Sequence, residues 1–238
     1  MSQATRQQTA KACNVRIRSG TVMLAGDFLL PIGARGAVLF AHGSGSSRHS
    51  RRNQIVAQTI RNAGLGTLLF DLLTPEEEAV DIHTRHLRFD IKLLAQRLVD
   101  ATYWLKGELH HLRIGYFGAS TGAAAALVAA AEVGTIVGAV VSRGGRPDLA
   151  EDALPLVKAP TLLIVGELDS PVIEMNRHAY AQLFCEKEIA IVPGATHLFE
   201  ERGTLERVAD HAADWFDVYL NEQKHMEEIS GGQFKEKP

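Results

Sequence analysis

Residues 112–141 read L-R-I-G-Y-F-G-A-S-T-G-A-A-A-A-L-V-A-A-A-E-V-G-T-I-V-G-A-V-V, and the fold turns on how this stretch divides. From residue 123 to 141 it is almost wholly apolar and long enough to suggest a membrane span. Glu132, Gly134 and Gly138 interrupt it, however, and its halves differ in character. The first half is alanine-rich and suits a helix; the second, from Thr135, is β-branched and suits a strand. The stretch therefore reads as a buried strand (112–117), a glycine-flanked turn (118–122), a buried helix (121–133), a turn at Gly134 and a second buried strand (135–141). No membrane crossing is expected.

The same alternation runs outward on both sides. Residues 15–18 and 21–29 flank Ser19-Gly20, consistent with an opening hairpin. Residues 36–41 form a short apolar run that ends in a glycine-rich loop, 42–47. A modest helix (54–63) and another apolar strand (66–71) follow. Leu87, Ile91, Leu94, Leu98, Ala101 and Leu105 share one helical face, with Gly107 as a stop. Strands at 161–165 and 188–192 enclose a helical segment at 172–184, and Leu205, Val208, Ala212, Trp215 and Tyr219 mark a last helix. Strands apolar along their whole length, separated by helices, imply a mainly parallel sheet covered on both faces. The expected fold class is α/β, a single domain over residues 14–220, with flexible termini at 1–13 and 221–238. No fixed-period repeat and no linker divides it.

Composition narrows the function. With 238 residues, 46% hydrophobic and 22% charged, the chain is ordinary for a globular protein and too apolar for intrinsic disorder. Lys plus Arg is 25 against 28 Asp plus Glu, a net charge of -3 that argues against a dedicated nucleic-acid binder. Cys13 and Cys185 cannot build a disulfide framework, and no zinc-ligand spacing occurs. The polar start lacks the apolar core of a signal peptide, so a cytoplasmic protein is expected.

Open α/β sheets place their sites beyond the carboxyl ends of strands. After the strand at 112–117 comes G-A-S-T-G, Gly118 to Gly122, leading directly into the alanine-rich helix. A G-x-S-x-G motif between strand and helix lifts the serine hydroxyl clear of the sheet, while the helix N-terminus favours developing negative charge. Ser120 needs a base held by a third group. G-E-L-D after the strand at 161–165 ends in Asp169, and P-G-A-T-H after the strand at 188–192 ends in His197. Asp169 is preferred as the acid over Glu167 or Asp148, and His197 as the base over His42, His49, His83 or His86. The oxyanion donors expected are the backbone N–H of Thr121 and that of Ser44, with Gly43 or Gly45 as alternates. His42 is read as a residue that fixes the loop rather than as a proton shuttle.

These residues resemble the α/β-hydrolase superfamily and, within it, are similar to dienelactone hydrolase-related proteins. The resemblance is carried by H-G-S-G-S-S-R-H-S-R-R-N (42–53), F-D-L-L-T-P-E-E-E (70–78), G-A-S-T-G, S-R-G-G-R-P-D-L (142–149), G-E-L-D and G-A-T-H-L-F-E-E (194–201). It implies an eight-stranded sheet with one antiparallel strand near the start. Dienelactone hydrolase itself uses a cysteine nucleophile, whereas position 120 here is serine. That departure moves the expected activity toward serine ester hydrolysis. Related chains also occur beside phosphoribosyltransferase domains, and nothing in this sequence is expected to form one.

The substrate is less legible. Arg48, Arg51 and Arg52 follow the oxyanion loop, and Arg143 and Arg146 follow the strand at 135–141. His42, Arg51, Arg143 and Arg146 are candidate substrate-binding residues, the arginines for a carboxylate or phosphate; the plain alternative is two solvated arginine groups. Glu76 to Glu78 read as a solvated acidic loop. The segments after Asp71 and Val141, about 15 and about 18 residues, are too short for a large cap, so a shallow pocket for small acyl groups is expected. The expectation is an esterase acting on a small-molecule ester or lactone through an acyl-enzyme, with no metal or organic cofactor. Neither nucleic acid nor membrane is an expected partner, and self-association is left open. The rival readings are a non-catalytic binding protein of the same fold and a small-peptide or amide hydrolase.

Overall fold

Eight strands and six α-helices alternate along residues 11–221, the part of the chain described by the computed structural model. The hairpin around Ser19-Gly20 is β1 (Lys11–Ser19) and β2 (Val22–Leu30), paired antiparallel, with Gly20 in the left-handed region. Then come β3 (Gly36–Ala41), α1 (Arg51–Asn62), β4 (Gly66–Phe70), α2 (Pro75–Thr84) and α3 (Ile91–Glu108). The second half runs β5 (Arg113–Ala119), α4 (Thr121–Val133), β6 (Val137–Arg143), β7 (Thr161–Gly166), α5 (Ser170–Gln182), β8 (Lys187–Val192) and α6 (Thr204–Leu220). Residues 11–13 belong to β1 rather than to a terminus; of the expected flexible termini, 1–10 and 222–238 lie outside the described residues.

The strand order is β1-β2-β4-β3-β5-β6-β7-β8, and β2 alone runs against the others. Strands β3, β4, β5 and β7 are buried almost throughout, as their continuous apolar sequence requires when helices cover both faces. One core lies under α3, α4 and α5, where Leu98, Leu105, Tyr116 and Leu163 are fully buried. The other lies under α1 and α6 around Ile60, Phe117, Val208 and Phe216. No helix among the described residues is long and apolar enough to cross a membrane.

One segment differs from expectation, and another was not read. Glu76 to Glu78 lie in α2, which Thr74 caps: its side chain accepts from the Glu77 N–H while the Glu77 carboxylate accepts from the Thr74 N–H. T-P-E-E carries both signals, a capping box and a proline in the first turn. Glu77 also pairs with the buried Arg97 of α3, so this acid is structural rather than merely solvated. Residues 147–156 form a 3₁₀ stretch that is broken at Glu151.

The chain crosses from β3 outward to β4, then returns to place β5 on the other side of β3. Strand order therefore reverses between β3 and β5, where diverging connections leave a crevice at the carboxyl ends. Ala41 at the end of β3 pairs with Gly118 in β5, which brings the loop after β3 beside the turn that holds Ser120.

Candidate active site

Ser120 has φ 51° and ψ −121°, a conformation that non-glycine residues rarely adopt. Backbone bonds hold it there. Its N–H donates to the Arg143 carbonyl (3.3 Å), and its carbonyl accepts from the N–H groups of Ala123 and Arg146 (both 3.1 Å). The flanking glycines are sterically required. A methyl group on Gly122 would fall 2.1 Å from the Ala41 carbonyl oxygen, and one on Gly118 would fall 2.4 Å from the Ala123 Cα. The strand-to-helix turn thus closes only with glycine at both positions, and the serine between them is pushed up to the rim.

His197 and Asp169 meet from the ends of two other strands. The His197 Nδ1 lies 2.7 Å from Asp169 Oδ2. An ionised carboxylate can only accept, so Nδ1 carries the proton and Nε2 is left as an acceptor. Asp169 is mostly buried and stands at the N-terminus of α5, where the helix dipole favours its charge. Glu167, a rival acid, accepts instead from the Gly194 N–H (2.8 Å), and Asp148 is taken by Arg146. The loop that carries His197 is braced by Glu201, which accepts from the Thr196 hydroxyl and N–H; those bonds hold its carboxyl below the usual range. Gly144 passes beside the imidazole, its hypothetical Cβ 3.6 Å from the His197 Cε1.

Ser120 and His197 line one cavity of about 140 Å³, together with Ser44, Arg52 and Arg143. Its small size agrees with the expectation drawn from the short connections. Thr121 is the first residue of α4, so its N–H has no acceptor within the helix. The Ser44 N–H donates to the Thr121 hydroxyl (3.1 Å), so it is engaged rather than open. Gly43 presses against the turn, its hypothetical Cβ 3.1 Å from the Ser120 Cβ.

His42 is buried and uses both ring nitrogens: Nε2 accepts from the Leu72 N–H and Nδ1 donates to the Gly43 carbonyl, each at 3.0 Å. Burial lowers its pKa, so the ring is neutral. Its place among the substrate-binding candidates is therefore corrected to that of a loop-fixing residue. C=O and N–H of one peptide unit point in opposite directions. By holding the Gly43 carbonyl, His42 thus turns the Ser44 N–H toward Thr121.

The arginines divide differently from expectation. Arg146 is bound in a forked pair with Asp148 (Nη2 to Oδ2 2.7 Å, Nε to Oδ1 2.9 Å) and does not line the cavity. Arg51 is exposed and lines a neighbouring depression with Glu206 instead. Arg48 is clamped by Asp71 and Asp27. Arg143 and Arg52 are the two that reach the cavity. Sequence reasoning grouped Arg52 with its neighbours and had no means of separating it from Arg51, since which of two adjacent helical residues faces a cavity depends on where the helix starts. Ser50 sets that start, its hydroxyl accepting from the Asn53 N–H.

Residues 76–222 match the dienelactone hydrolase family. A solved dienelactone hydrolase from Anabaena variabilis ATCC 29413 is 60% identical, covers 89% of this chain and 99% of its own, and superposes with a TM-score of 0.87. Est1E from Butyrivibrio proteoclasticus (17% identity, 91% of this chain and 99% of its own, TM-score 0.71) shares the fold. So does the Pyrococcus furiosus esterase Pf2001 (17%, 93% and 98%, 0.70). A protein of Mycobacterium tuberculosis (strain ATCC 25618 / H37Rv) named a putative phosphoribosyl transferase is 58% identical over 208 residues. Those residues are 87% of this chain and 46% of that protein, so the chain spans about half the length of this relative.

Proposed function

The chain belongs to the dienelactone hydrolase family, and we propose that it acts there as a serine esterase-type hydrolase on small carboxylic esters or lactones. The observation that carries this reading is the Asp169–His197 hydrogen bond, set at the same rim as a serine held at positive φ. Ser120 Oγ attacks the carbonyl carbon as His197 Nε2 takes its proton, and Asp169 orients the ring and stabilises the imidazolium. The tetrahedral oxyanion is held by the Thr121 N–H and, once its bond to the Thr121 hydroxyl yields, by the Ser44 N–H. The imidazolium then protonates the departing alkoxide, leaving an acyl-serine. Water attacks the acyl carbon, giving its proton to His197, and the acid leaves as Ser120 recovers its proton. This route needs no metal or organic cofactor.

A fluorophosphonate probe tests the reading. Wild-type protein is labelled and hydrolyses p-nitrophenyl pentanoate, whereas Ser120→Ala is unlabelled and about 10⁴-fold slower or worse. A folded wild type that neither labels nor turns over the ester is a binding protein. Short-peptide cleavage at rates comparable to ester cleavage makes it an amidase.

A further inference from the structure

Arg143 closes β6 within the wall of the cavity. It pairs with Ala119 in the sheet register, and its carbonyl accepts the Ser120 N–H. The residue is 8% exposed and lines the cavity. Among the described residues its Nε has no hydrogen-bond partner, no carboxylate lies within ion-pair reach, and its nearest neighbour of note is the Phe199 ring, 5.9 Å from the guanidinium carbon. Burial, and secondarily the charge of Arg52, pulls it down to about 10, which leaves it cationic at neutral pH. A buried charge without a counter-ion is strongly unfavourable. Two other arginines with little exposure are neutralised: Arg97, 3% exposed, is met by Glu77, and Arg88 by Asp81.

A second arginine adds to the same field. Arg52, in the first turn of α1, lines the cavity with its own Nε unpartnered. Its contact with Glu200 (3.2 Å) involves a carboxylate 64% exposed to water, a weak and displaceable pair. The first turn of the twelve-residue α1 holds no acidic residue to satisfy its positive end. Ser46 and Ser50 also line the cavity. Asp169, the nearest catalytic carboxylate, is engaged by His197.

We infer that this cavity seats the phosphate group of a substrate, held between Arg143, Arg52 and the N-terminal turn of α1, within a short acyl chain's reach of Ser120. The inference rests on the hydrolase reading above and names its substrate class. Two guanidinium groups with serine hydroxyls and free helix amides offer more donors than the roughly four acceptor sites of a carboxylate. A phosphate supplies three terminal oxygens and about two negative charges, matching the two arginines.

Three p-nitrophenyl esters with the same three methylenes decide it: the pentanoate, the glutarate half-ester and the 4-phosphonobutanoate. At low salt kcat/KM is expected to be at least tenfold higher for the phosphonate than for the pentanoate, and higher than for the glutarate. In Arg143→Gln the phosphonate-to-pentanoate ratio falls at least fivefold; should that variant not fold, Arg52→Gln is read by the same criterion. A wild-type preference below tenfold, a glutarate preferred to the phosphonate, or a ratio that falls less than fivefold overturns the inference. If inorganic phosphate competes with the pentanoate but the phosphonate ester is not preferred, the site takes free phosphate and the substrate claim fails. Loss of turnover on all three esters together with absent fluorophosphonate labelling fails the hydrolase reading instead. In that case, calorimetric titration with inorganic phosphate decides the anion site: saturable binding that is lost in the arginine variant upholds it, and no binding overturns it.

Discussion

On one side of the cavity, the loop after β3 has its polar groups engaged: His42 bridges the Leu72 N–H and the Gly43 carbonyl, the Ser44 N–H meets Thr121, and the Arg48 N–H meets Asp71 (2.8 Å). Elsewhere around it, Arg143 at the end of β6 and Arg52 in the first turn of α1 bring charge into the same space, each with an Nε that has no hydrogen-bond partner among the described residues. The wall formed by the loop serves geometry, and the walls that carry the arginines bring charge that no buried carboxylate neutralises. Satisfied polar networks rigidify a site, whereas unsatisfied buried charge is an energetic demand that binding relieves.

The largest effect expected from breaking the engaged side comes at its catalytic end. Asp169→Asn removes the acceptor that fixes the His197 tautomer, and kcat on the pentanoate ester should fall about 10⁴-fold with little change in KM. A loss under tenfold would detach Asp169 from the mechanism.

An intermediate effect concerns His42. Burial lowers its folded pKa below the unfolded value of 6.5, so as pH falls through that value the unfolded chain takes up the proton first. The stability this contributes is complete above about pH 6.5 and is lost below it, at up to ~1.4 kcal/mol per unit, or about 3–6 °C in Tm for a domain of this size. Thermal melts between pH 6.5 and 5.5 should show this slope in wild type and a shallower one in His42→Gln. Equal slopes would mean that another group titrates there.

The smallest effect sharpens the contrast between two arginines three positions apart. Arg146 is partly exposed and already paired with Asp148. Arg146→Ala should cost under about 1 kcal/mol in denaturant unfolding and should leave the phosphonate-to-pentanoate ratio within twofold of wild type. A change as large as that expected for Arg143→Gln would erase the distinction between the walls.

Much of the architecture was legible in the chain. From 36–41 onward, apolar runs gave strands whose ends lie within two residues of those expected, and the alanine-rich segment became α4 at 121–133. Helix α2 was hidden because three consecutive glutamates suggest solvent, while the residue that engages Glu77 lies twenty positions away on α3. The G-x-S-x-G turn and the positions of Asp169 and His197 were readable because each lies within a few residues of a strand's carboxyl end. The arginines were not, because the residue type says nothing about direction.

Periodicity, glycine placement and the residue after each strand determined, without further help, an α/β sheet with a serine turn and a candidate acid and base at its carboxyl edge. Those features are local: each depends on φ/ψ preferences and on side chains a few positions apart. Only the tertiary structure decided which acid meets His197, which serine amide is already bonded, and which arginine is buried without a partner. Those outcomes depend on distance and solvent access between segments remote in sequence, and Coulomb energy in a low-dielectric cavity changes steeply with both.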